Sequence, residues 1–379
     1  MAAITEEHRY PCEQCGAELR FAPGQSVLKC NHCGHVQQIA PANGAQDGPW
    51  GGPKVKNFQE HDLARGLQDN LPAAASEEVR ATRCPNCGAM VEFQGANHAA
   101  ECPFCATPLV VDSGSHRLIK PQALIPFQLA EPEARKALIA WLGSLWFAPN
   151  RLLEFTRAGR AMNGVYVPYW TFDADTQSRY RGAKGIYYYE TRTVMVNVSG
   201  RNEQRQEQVR KTRWYPASGS VARRFDDVLD IASTSLPTQL GDGLEPWDLT
   251  TLQSYSPDYL AGMQAEGYTV DLADGHQVGR GKMERVIYND VRQDIGGDEQ
   301  RIDSIDSDYR AETFKHVLLP VWMAAYKYSG KSYRFLVNGQ TGEVQGERPW
   351  SVWKIALAVI AALIVAGVVA YFYQQANYR

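Results

Sequence analysis

The sequence predicts an α+β multidomain protein, and three features carry this prediction. Eight cysteines form two groups of identical spacing, helix-like and strand-like segments alternate through the middle of the chain, and a long uncharged apolar segment lies near the C-terminus. The predicted architecture is two small β zinc ribbons, a mixed α+β central domain with long β-hairpins and one C-terminal transmembrane helix. The predicted divisions are 8–40 and 81–113 for the ribbons, 41–80 for a flexible linker with a short helix, 117–349 for the central domain and 353–373 for the membrane helix.

Length and composition exclude several classes of protein. A chain of 379 residues, 44% of them hydrophobic, can bury a sizeable core. Its net charge of −3 provides no overall positive field for nucleic acid. The first residues contain no apolar run of the secretory type, so we expect the N-terminal domains to face the cytoplasm. In that reducing compartment, eight cysteines indicate metal binding rather than structural disulfides.

The cysteines repeat the spacing C-x2-C-x14-C-x2-C without change, displaced by 72 residues. Two C-x2-C pairs can enclose one ion in a tetrahedral site of four thiolates, which is the closed geometry of structural zinc. The sequence therefore predicts two Zn²⁺ ions per chain, with no coordination position left for catalysis. The predicted ligands are Cys12, Cys15, Cys30 and Cys33 in the first group, and Cys84, Cys87, Cys102 and Cys105 in the second.

Glycine follows three of the four C-x2-C pairs, at Gly16, Gly34 and Gly88, and favours a left-handed turn there, whereas Ala106 follows the fourth. Residues 17–21 and 26–29 are expected to form a hairpin, and residues 89–93 begin its equivalent. Each predicted unit is expected to fold around its own metal ion, independently of the central domain.

Other interpretations of the cysteines are weaker. A redox pair uses a single C-x2-C at a helix start, whereas here two complete groups recur. His32, His35 and His98 are interpreted as surface residues, because four thiolates already complete each site. Neither ribbon has an excess of basic residues, so nucleic acid is not an expected partner. A nucleotide is not expected either, since the chain lacks a G-x4-G-K-[ST] phosphate cradle.

The central domain is predicted from periodicity. Helices are expected within 58–71 and at 131–146, 226–231, 257–266 and 272–294, and a hairpin is expected to join 186–198 to 206–215. Residues 178–213 hold nine Lys or Arg against three Glu, while residues 214–313 hold eight Lys or Arg against nineteen Asp or Glu. The basic hairpin is interpreted either as a solvated or internally paired surface, or as a contact for anionic lipid headgroups.

No catalytic residue is predicted. Asp226, Asp227 and Glu245 could converge in an enzyme, but a general excess of solvated carboxylates explains them better. Trp170 and Trp322 are interpreted as core aromatic residues rather than the walls of a binding pocket. His316 has no matching ligand cluster in the sequence and is interpreted as structural.

Residues 355–373 contain nineteen consecutive uncharged residues, which span about 28 Å as a helix. Tryptophans precede the segment and Tyr371 and Tyr373 end it, as expected for interfacial anchors. Arg348 and Lys354 favour a cytoplasmic location for the preceding domains. The predicted topology is a single-pass, tail-anchored protein of the bacterial inner membrane.

The two ribbons, the segments PYW at 168–170 and LLPVW at 318–322, the run NGQTGEVQGERPW at 338–350 and the terminal helix resemble a bacterial membrane-tethered double zinc-ribbon family. Its members are transcription-factor-type zinc ribbon proteins, often labelled primosomal protein N′-like or superfamily II helicase-like. The helicase label lacks support, because Gly281-Lys282 is followed by Met283 and no phosphate cradle exists.

Some relatives in that family are encoded beside phage-shock-protein-A-like and SPFH proteins. The resemblance therefore implies a membrane-stress or membrane-organising complex, with such proteins as partners, and the closed metal sites favour a non-catalytic adaptor within it. A homo-oligomer is the other expected partner, because small residues recur every four positions along the terminal helix, at Ala358, Ala362, Ala366 and Ala370. One alternative is a nucleic-acid-binding ribbon protein linked to DNA replication or transcription. A second alternative is a cryptic enzyme in the central domain.

Overall fold

The structure, a computed structural model, describes residues 10–39, 60–68, 70–72, 75–92, 99–105, 107–110, 115–146, 162–198, 201–328, 331–347 and 351–377. It is a mixed α+β fold with small cysteine-bearing β-units in the N-terminal region, a large central sheet and an apolar C-terminal helix. The coarse fold class predicted from the sequence is thereby confirmed.

The first cysteine-bearing unit is a three-stranded antiparallel sheet of β1 (Leu19–Ala22), β2 (Val27–Cys30) and β3 (Val36–Gln38). β1 pairs with β2 from Leu19 opposite Cys30 to Ala22 opposite Val27, which confirms the predicted hairpin. Pro23 and Gly24 lie in its turn, where Gly24 has a positive φ of 76°.

The remaining strands are β4 (His61–Asp62), β5 (Ser76–Arg83), β6 (Met90–Glu92), β7 (Ala99–Glu101), β8 (Pro108–Val110), β9 (Ser115–Ile119), β10 (Ala123–Leu124), β11 (Asn163–Val198), β12 (Arg201–Ile231), β13 (Gln253–Ser254), β14 (Gln264–Gly267), β15 (Glu299–Tyr328), β16 (Lys331–Asn338) and β17 (Val344–Gly346). The helices are α1 (Leu63–Leu67), α2 (Glu131–Ser144), α3 (Thr238–Asp242), α4 (Leu272–Ile295) and α5 (Val352–Asn377). Twelve of the strands in the described ranges belong to one sheet.

The central sheet is built on β11, which pairs antiparallel with β15 along one edge and with β12 along the other. β10 and β16 extend the sheet beside β15, while β14, β6, β5 and β9 extend it on the other side of β11. Because successive side chains of a strand point to opposite faces, the apolar runs of β11 and β15 supply both faces of the sheet with core residues.

The two cysteine-bearing units pack on opposite faces of this sheet. Tyr166, Leu318 and Trp322 share one core with the β1–β3 unit and α2. Their neighbours along the same strands share the other core with the second cysteine group: Val165, Val167, Val317, Leu319 and Val321. Each unit therefore covers apolar surface that the sheet would otherwise expose to water.

α4 packs beside Trp170 and Phe172 of β11. The glycines in this helix allow a close approach, because a Cβ added at Gly275 would lie 2.5 Å from the Trp170 ring and one added at Gly279 would lie 2.6 Å from the Phe172 ring. The helix predicted at 272–294 is confirmed despite these glycines, and so is the helix predicted at 131–146, which ends at Ser144.

Two predicted helices are wrong. Residues 226–231 form the end of β12, where Phe172 of β11 pairs with Val228. Residues 257–266 form a short 3₁₀ turn, Pro257–Leu260, followed by β14. In both segments pairing with β11 overrides the local preference of the sequence, because the strand completes main-chain hydrogen bonds that a helix there would remove from the sheet.

The predicted linker differs from the structure where it is described. Residues 41–59 lie outside the described part of the chain. From Glu60 onward the segment belongs to the domain: β4 pairs with β15, and α1 confirms the predicted short helix and buries Leu63. β5 then pairs with β6, which pairs with β14. The second cysteine-bearing unit is therefore continuous with the central sheet, not a separate module.

β11 and β12 continue beyond β15 as a two-stranded ribbon, residues 186–198 and 201–213, which we call the arm. It confirms the predicted hairpin, whose second strand begins earlier than expected, at Arg201; residues 199–200 lie outside the described part of the chain. At the other end of the sheet, Arg334 of β16 pairs with Ala325 and accepts a hydrogen bond from the N–H of Glu347, shortly before α5. The arm and α5 therefore leave opposite ends of β15, which does not favour contact of the arm with lipids surrounding α5.

Candidate metal centres

The structure brings the first four predicted ligands together. Cys12 and Cys15 precede β1, Cys30 ends β2 and Cys33 follows it. The Sγ atoms of Cys12 and Cys33 are 3.5 Å apart, as are those of Cys15 and Cys30. All four sulfur atoms lie within 4.8 Å of one another.

The second four predicted ligands form the same arrangement. The Sγ atoms of Cys84 and Cys105 are 3.5 Å apart and those of Cys87 and Cys102 are 3.6 Å apart, again joining first to fourth and second to third. These sulfur atoms too lie within 4.8 Å of one another. Two sequence repeats therefore produce two sites of equal geometry.

The main chain of each C-x2-C turn explains this geometry. The N–H groups of Gly16, Gly34 and Gly88 donate to the carbonyl of the cysteine four residues earlier, at 2.8, 3.0 and 2.9 Å. These glycines have φ values of 73°, 78° and 79°, a conformation that L residues rarely adopt. The predicted role of the three glycines is confirmed, while Ala106 of the fourth turn lies outside the described residues.

The four thiols of each group fit a metal ion. A tetrahedral ion with metal–sulfur bonds of about 2.3 Å separates its sulfur ligands by about 3.8 Å, close to the distances seen here. All eight cysteines are free thiols rather than disulfides. Four thiolates complete a tetrahedron and suit soft or borderline ions. The chain thus has two four-cysteine sites at metal-binding distance.

Hydrogen bonds favour the ionised form of one thiol in each group. In the first, the backbone N–H groups of Cys33 and His32 lower the pKa of Cys30 to about 6. In the second, burial opposes ionisation of Cys105, but hydrogen bonds from the side chains of Thr107 and Asn86 outweigh it and lower the pKa to about 6. The thiolate is the form that binds metal, so these partners support ligation.

Histidines do not join either group within the described residues. His32 is exposed and His35 is partly exposed, consistent with their interpretation as surface residues. His98 lies outside the described part of the chain. A polar cavity of about 380 Å³ borders the second group and is lined by Asn86, Cys87, Cys105, Thr234, Ser235, Pro237, Arg334 and Glu347.

The carboxylates considered for catalysis do not all converge. Asp226 and Asp227 lie together with Asp173, but Glu245 is not in that group. Glu245 instead interacts with Lys282 and Asp242, and burial raises its pKa.

A buried lysine occupies the centre of the first of these carboxylate groups. Lys315 Nζ lies 2.7 Å from Asp227 Oδ1, 3.0 Å from Glu60 Oε1 and 3.4 Å from Asp173 Oδ2. Burial alone would lower the pKa of Lys315, but the carboxylates outweigh it and raise the pKa. The ammonium group of Lys315 therefore supplies the positive charge between these carboxylates. The one signal of this cluster in the sequence is a lysine beside the apolar run of β15, and the sequence analysis does not predict the cluster.

The aromatic residues considered for a pocket are part of the core, as predicted. Trp170 is fully buried and donates through Nε1 to the carbonyl of Val270 at 3.0 Å. Trp322 is buried and donates to the carbonyl of Leu129 at 2.9 Å. His316 is also buried beside Trp170, and burial lowers its pKa to about 4.

Comparison with known proteins gives one informative match. No protein-family model matches the chain, and no solved structure matches it. A protein of Bacillus subtilis (strain 168) named "Uncharacterized protein YdjG" is 24% identical over 350 residues, which cover 92% of this chain and 92% of that protein. The chain is therefore similar to this protein along nearly its whole length.

Proposed function

We propose that the chain is a non-catalytic adaptor of a bacterial membrane-stress or membrane-organising complex, with two zinc ribbons and one membrane helix. The observation that carries this proposal is the position of the two closed cysteine groups on opposite faces of one sheet that is followed by an exposed apolar helix. Metal sites in those positions stabilise a rigid body, and the helix can attach that body to a bilayer.

Zinc is the proposed ion at both sites. Zn²⁺ forms tetrahedral four-thiolate sites that contribute directly to folding. Such a site has no open position for water or substrate, so it supports a structural role. With zinc bound, residues 8–40 and 81–113 are two zinc ribbons, and the second shares strands with the central sheet.

α5 is the proposed membrane helix. Its apolar segment Trp353–Tyr373 is 21 residues long and none of it is buried against the rest of the protein. Such a helix extends about 32 Å, which matches the apolar thickness of a bilayer. We place it in the inner membrane with the preceding domains in the cytoplasm, where reducing conditions keep the thiols available for metal.

Protein is the proposed partner class. The described ribbons carry few basic residues, and phosphate binding would need more of them. The resemblance described above makes phage-shock-protein-A-like and SPFH proteins the first candidates, and a second copy of the chain is another. Neither nucleotide hydrolysis nor catalysis by the central domain is part of this proposal.

The test is chemical crosslinking in membranes followed by purification of the tagged full chain. We expect the chain to remain in membranes after alkaline carbonate washing and to retain partner proteins. A variant in which residues 353–373 are replaced by an unrelated membrane helix should keep both properties. The variant Cys12→Ser with Cys15→Ser should stay in membranes but lose partners that contact the first ribbon.

Two outcomes would overturn the adaptor proposal. One is recovery of the unmodified chain in the soluble fraction after cell lysis. The other is a purified full chain that hydrolyses ATP when single-stranded DNA is added. Weak DNA binding at low salt would contradict nothing, because a basic hairpin can give it without specificity.

A further inference from the structure

The arm has a free strand edge. β15 ends its pairing with β11 at Gly185 opposite Glu299, and beyond that point the described part of β11 pairs with β12 alone. Residues 189–193 of β11 are exposed, and Tyr189 and Met195 are 63% and 62% exposed. A two-stranded ribbon of this kind is marginally stable in water and gains stability when further strands are added.

The direction of the free main-chain groups follows from the last contacts with β15. The carbonyl of Gly185 accepts from the N–H of Asp298 at 2.9 Å, and the N–H of Tyr187 donates to Asp298 Oδ2 at 2.7 Å. Hydrogen-bonding direction alternates along a strand, so every second residue after Tyr187 points to the same edge. The free N–H and C=O groups therefore belong to Tyr189, Thr191 and Thr193.

The outer edge of β12 is interrupted by a proline just beyond the arm. By the same alternation, Arg210 and every second residue after it face the outer edge of β12, and Pro216 is one of these residues. Proline has no N–H to donate and is a common means of blocking an exposed edge. The β11 edge from Tyr189 to Thr193 contains neither proline nor glycine, so an added strand meets no such obstacle there.

The β11 edge is complementary to itself in one register. If a second copy pairs antiparallel with Thr191 opposite the partner's Thr191, then Glu190 lies opposite the partner's Arg192, and Arg192 lies opposite the partner's Glu190. Tyr189 then lies opposite the partner's Thr193. Moving the register by one step places either Arg192 opposite the partner's Arg192 or Glu190 opposite the partner's Glu190, and like charges in that position are destabilising.

Charges already present on the arm extend this complementarity. Glu190 forms an ion pair with Lys211 of β12, and Arg192 lies opposite Glu207. In the self-complementary register, Glu207, Arg192 and the partner's Glu190 lie side by side in one row across the strands. The partner's Lys211 lies next to this row. Opposite charges thus alternate across the new interface, and Tyr188 meets the apolar side chain of the partner's Val194.

We propose that two copies of this chain pair antiparallel through the β11 edge of the arm, with Thr191 on the two-fold axis. The interface is a four-stranded sheet joined by about six main-chain hydrogen bonds, two for each opposed pair that faces the edge. It specifies how the second copy considered under the proposed function would bind, and it requires neither the metal ions nor insertion of α5.

The test is disulfide crosslinking of the full chain in detergent, with a cysteine placed on the axis. Directly opposed residues of this kind have Cα atoms about 5.5 Å apart, which a disulfide can span. Thr191→Cys should therefore give a crosslinked dimer on mild oxidation. Thr193→Cys is the matched control, because its two copies are displaced by about 13 Å along the strands. The unsubstituted chain controls for the eight native cysteines.

Charge exchange in the Thr191→Cys background provides the second part of the test. Glu190→Arg alone and Arg192→Glu alone each create two like-charge pairs across the axis, so each should lower the dimer yield about tenfold. The two substitutions together restore opposite charges and should restore the yield. Equal crosslinking of the Thr191→Cys and Thr193→Cys chains, or failure of the double exchange to restore the dimer, would overturn the proposal. A chain that stays monomeric but binds a poly-glutamate peptide would also overturn it, because the basic arm would then bind acidic segments of other proteins rather than a second copy.

Discussion

The two cysteine groups have the same spacing and the same sulfur geometry, but they join the protein differently. The strands of the first unit form their own sheet and contact the domain through side chains and through main-chain hydrogen bonds from Phe21 and Gly24, without pairing with a strand of the central sheet. In the second unit, β6 hydrogen-bonds to β5 and β14 and belongs to the central sheet. Cys15 and Cys33 are exposed in the first group, whereas three cysteines are buried and Cys87 is half-buried in the second.

The two residues between the last two cysteines of each group explain part of this difference. Between the last two cysteines, the first unit has Asn31 and His32, which are exposed. The second unit has Pro103 and Phe104 at the equivalent places, and Phe104 is 1% exposed in the core beneath the sheet. Identical ligand spacing therefore builds identical sites, while the residues between the ligands decide how deeply each site is buried.

The largest expected difference concerns removal of one site at a time. Cys84→Ser with Cys87→Ser should lower the melting temperature of the full chain by about 10 °C, because about 4 kcal/mol is lost where the unit is part of the sheet. Cys12→Ser with Cys15→Ser should lower it by less than half as much. Calorimetry in detergent measures both. An unchanged melting transition of the central domain in the Cys84→Ser, Cys87→Ser variant would show that the second unit folds independently, as the sequence analysis predicts.

Exchange of the residues between the ligands tests whether they decide the burial of each site. Phe104→His places a polar ring in the core and should destabilise the chain by about 3 kcal/mol. His32→Phe changes an exposed residue and should alter stability by less than about 0.5 kcal/mol. Urea denaturation followed by tryptophan fluorescence measures both variants. A silent Phe104→His substitution would contradict the assigned burial of the second site.

A smaller difference is expected in the rate of metal loss. The exposed thiolates of Cys15 and Cys33 are open to a chelator, whereas the second group must first open locally. Metal should leave in two phases of equal amplitude, with the faster about tenfold or more ahead of the slower, as an opening cost of about 1.4 kcal/mol implies. A metal-sensitive dye records release, and Cys12→Ser with Cys15→Ser should remove the fast phase. Loss of the slow phase instead would reverse the assignment.

Features fixed by nearby residues could be predicted from the sequence. The ligand groups, the left-handed Gly16, Gly34 and Gly88, and the helix at Leu272–Ile295 follow from spacing or periodicity within one segment. The joining of β6 to β14 could not be predicted in this way, because its partners lie about 175 residues apart in the chain.

Long-range pairing also explains the main errors. Residues 226–231 have a helix-like composition but complete the edge of β11, so tertiary hydrogen bonds decided their conformation. The cluster around Lys315 draws its carboxylates from Glu60, Asp173 and Asp227, which no local pattern connects. The length of the arm likewise depends on where β15 begins, which the sequence of β11 does not contain.

The metal content of the full chain decides whether it holds two structural zinc sites. Elemental analysis of the purified full chain, loaded during expression and freed of loosely bound ions, should give two zinc ions per chain. Each pair of serine substitutions should reduce this to one, because every predicted ligand belongs to one of two complete groups. One ion in the unsubstituted chain, or iron in place of zinc, would contradict the account of two structural zinc ribbons on one sheet.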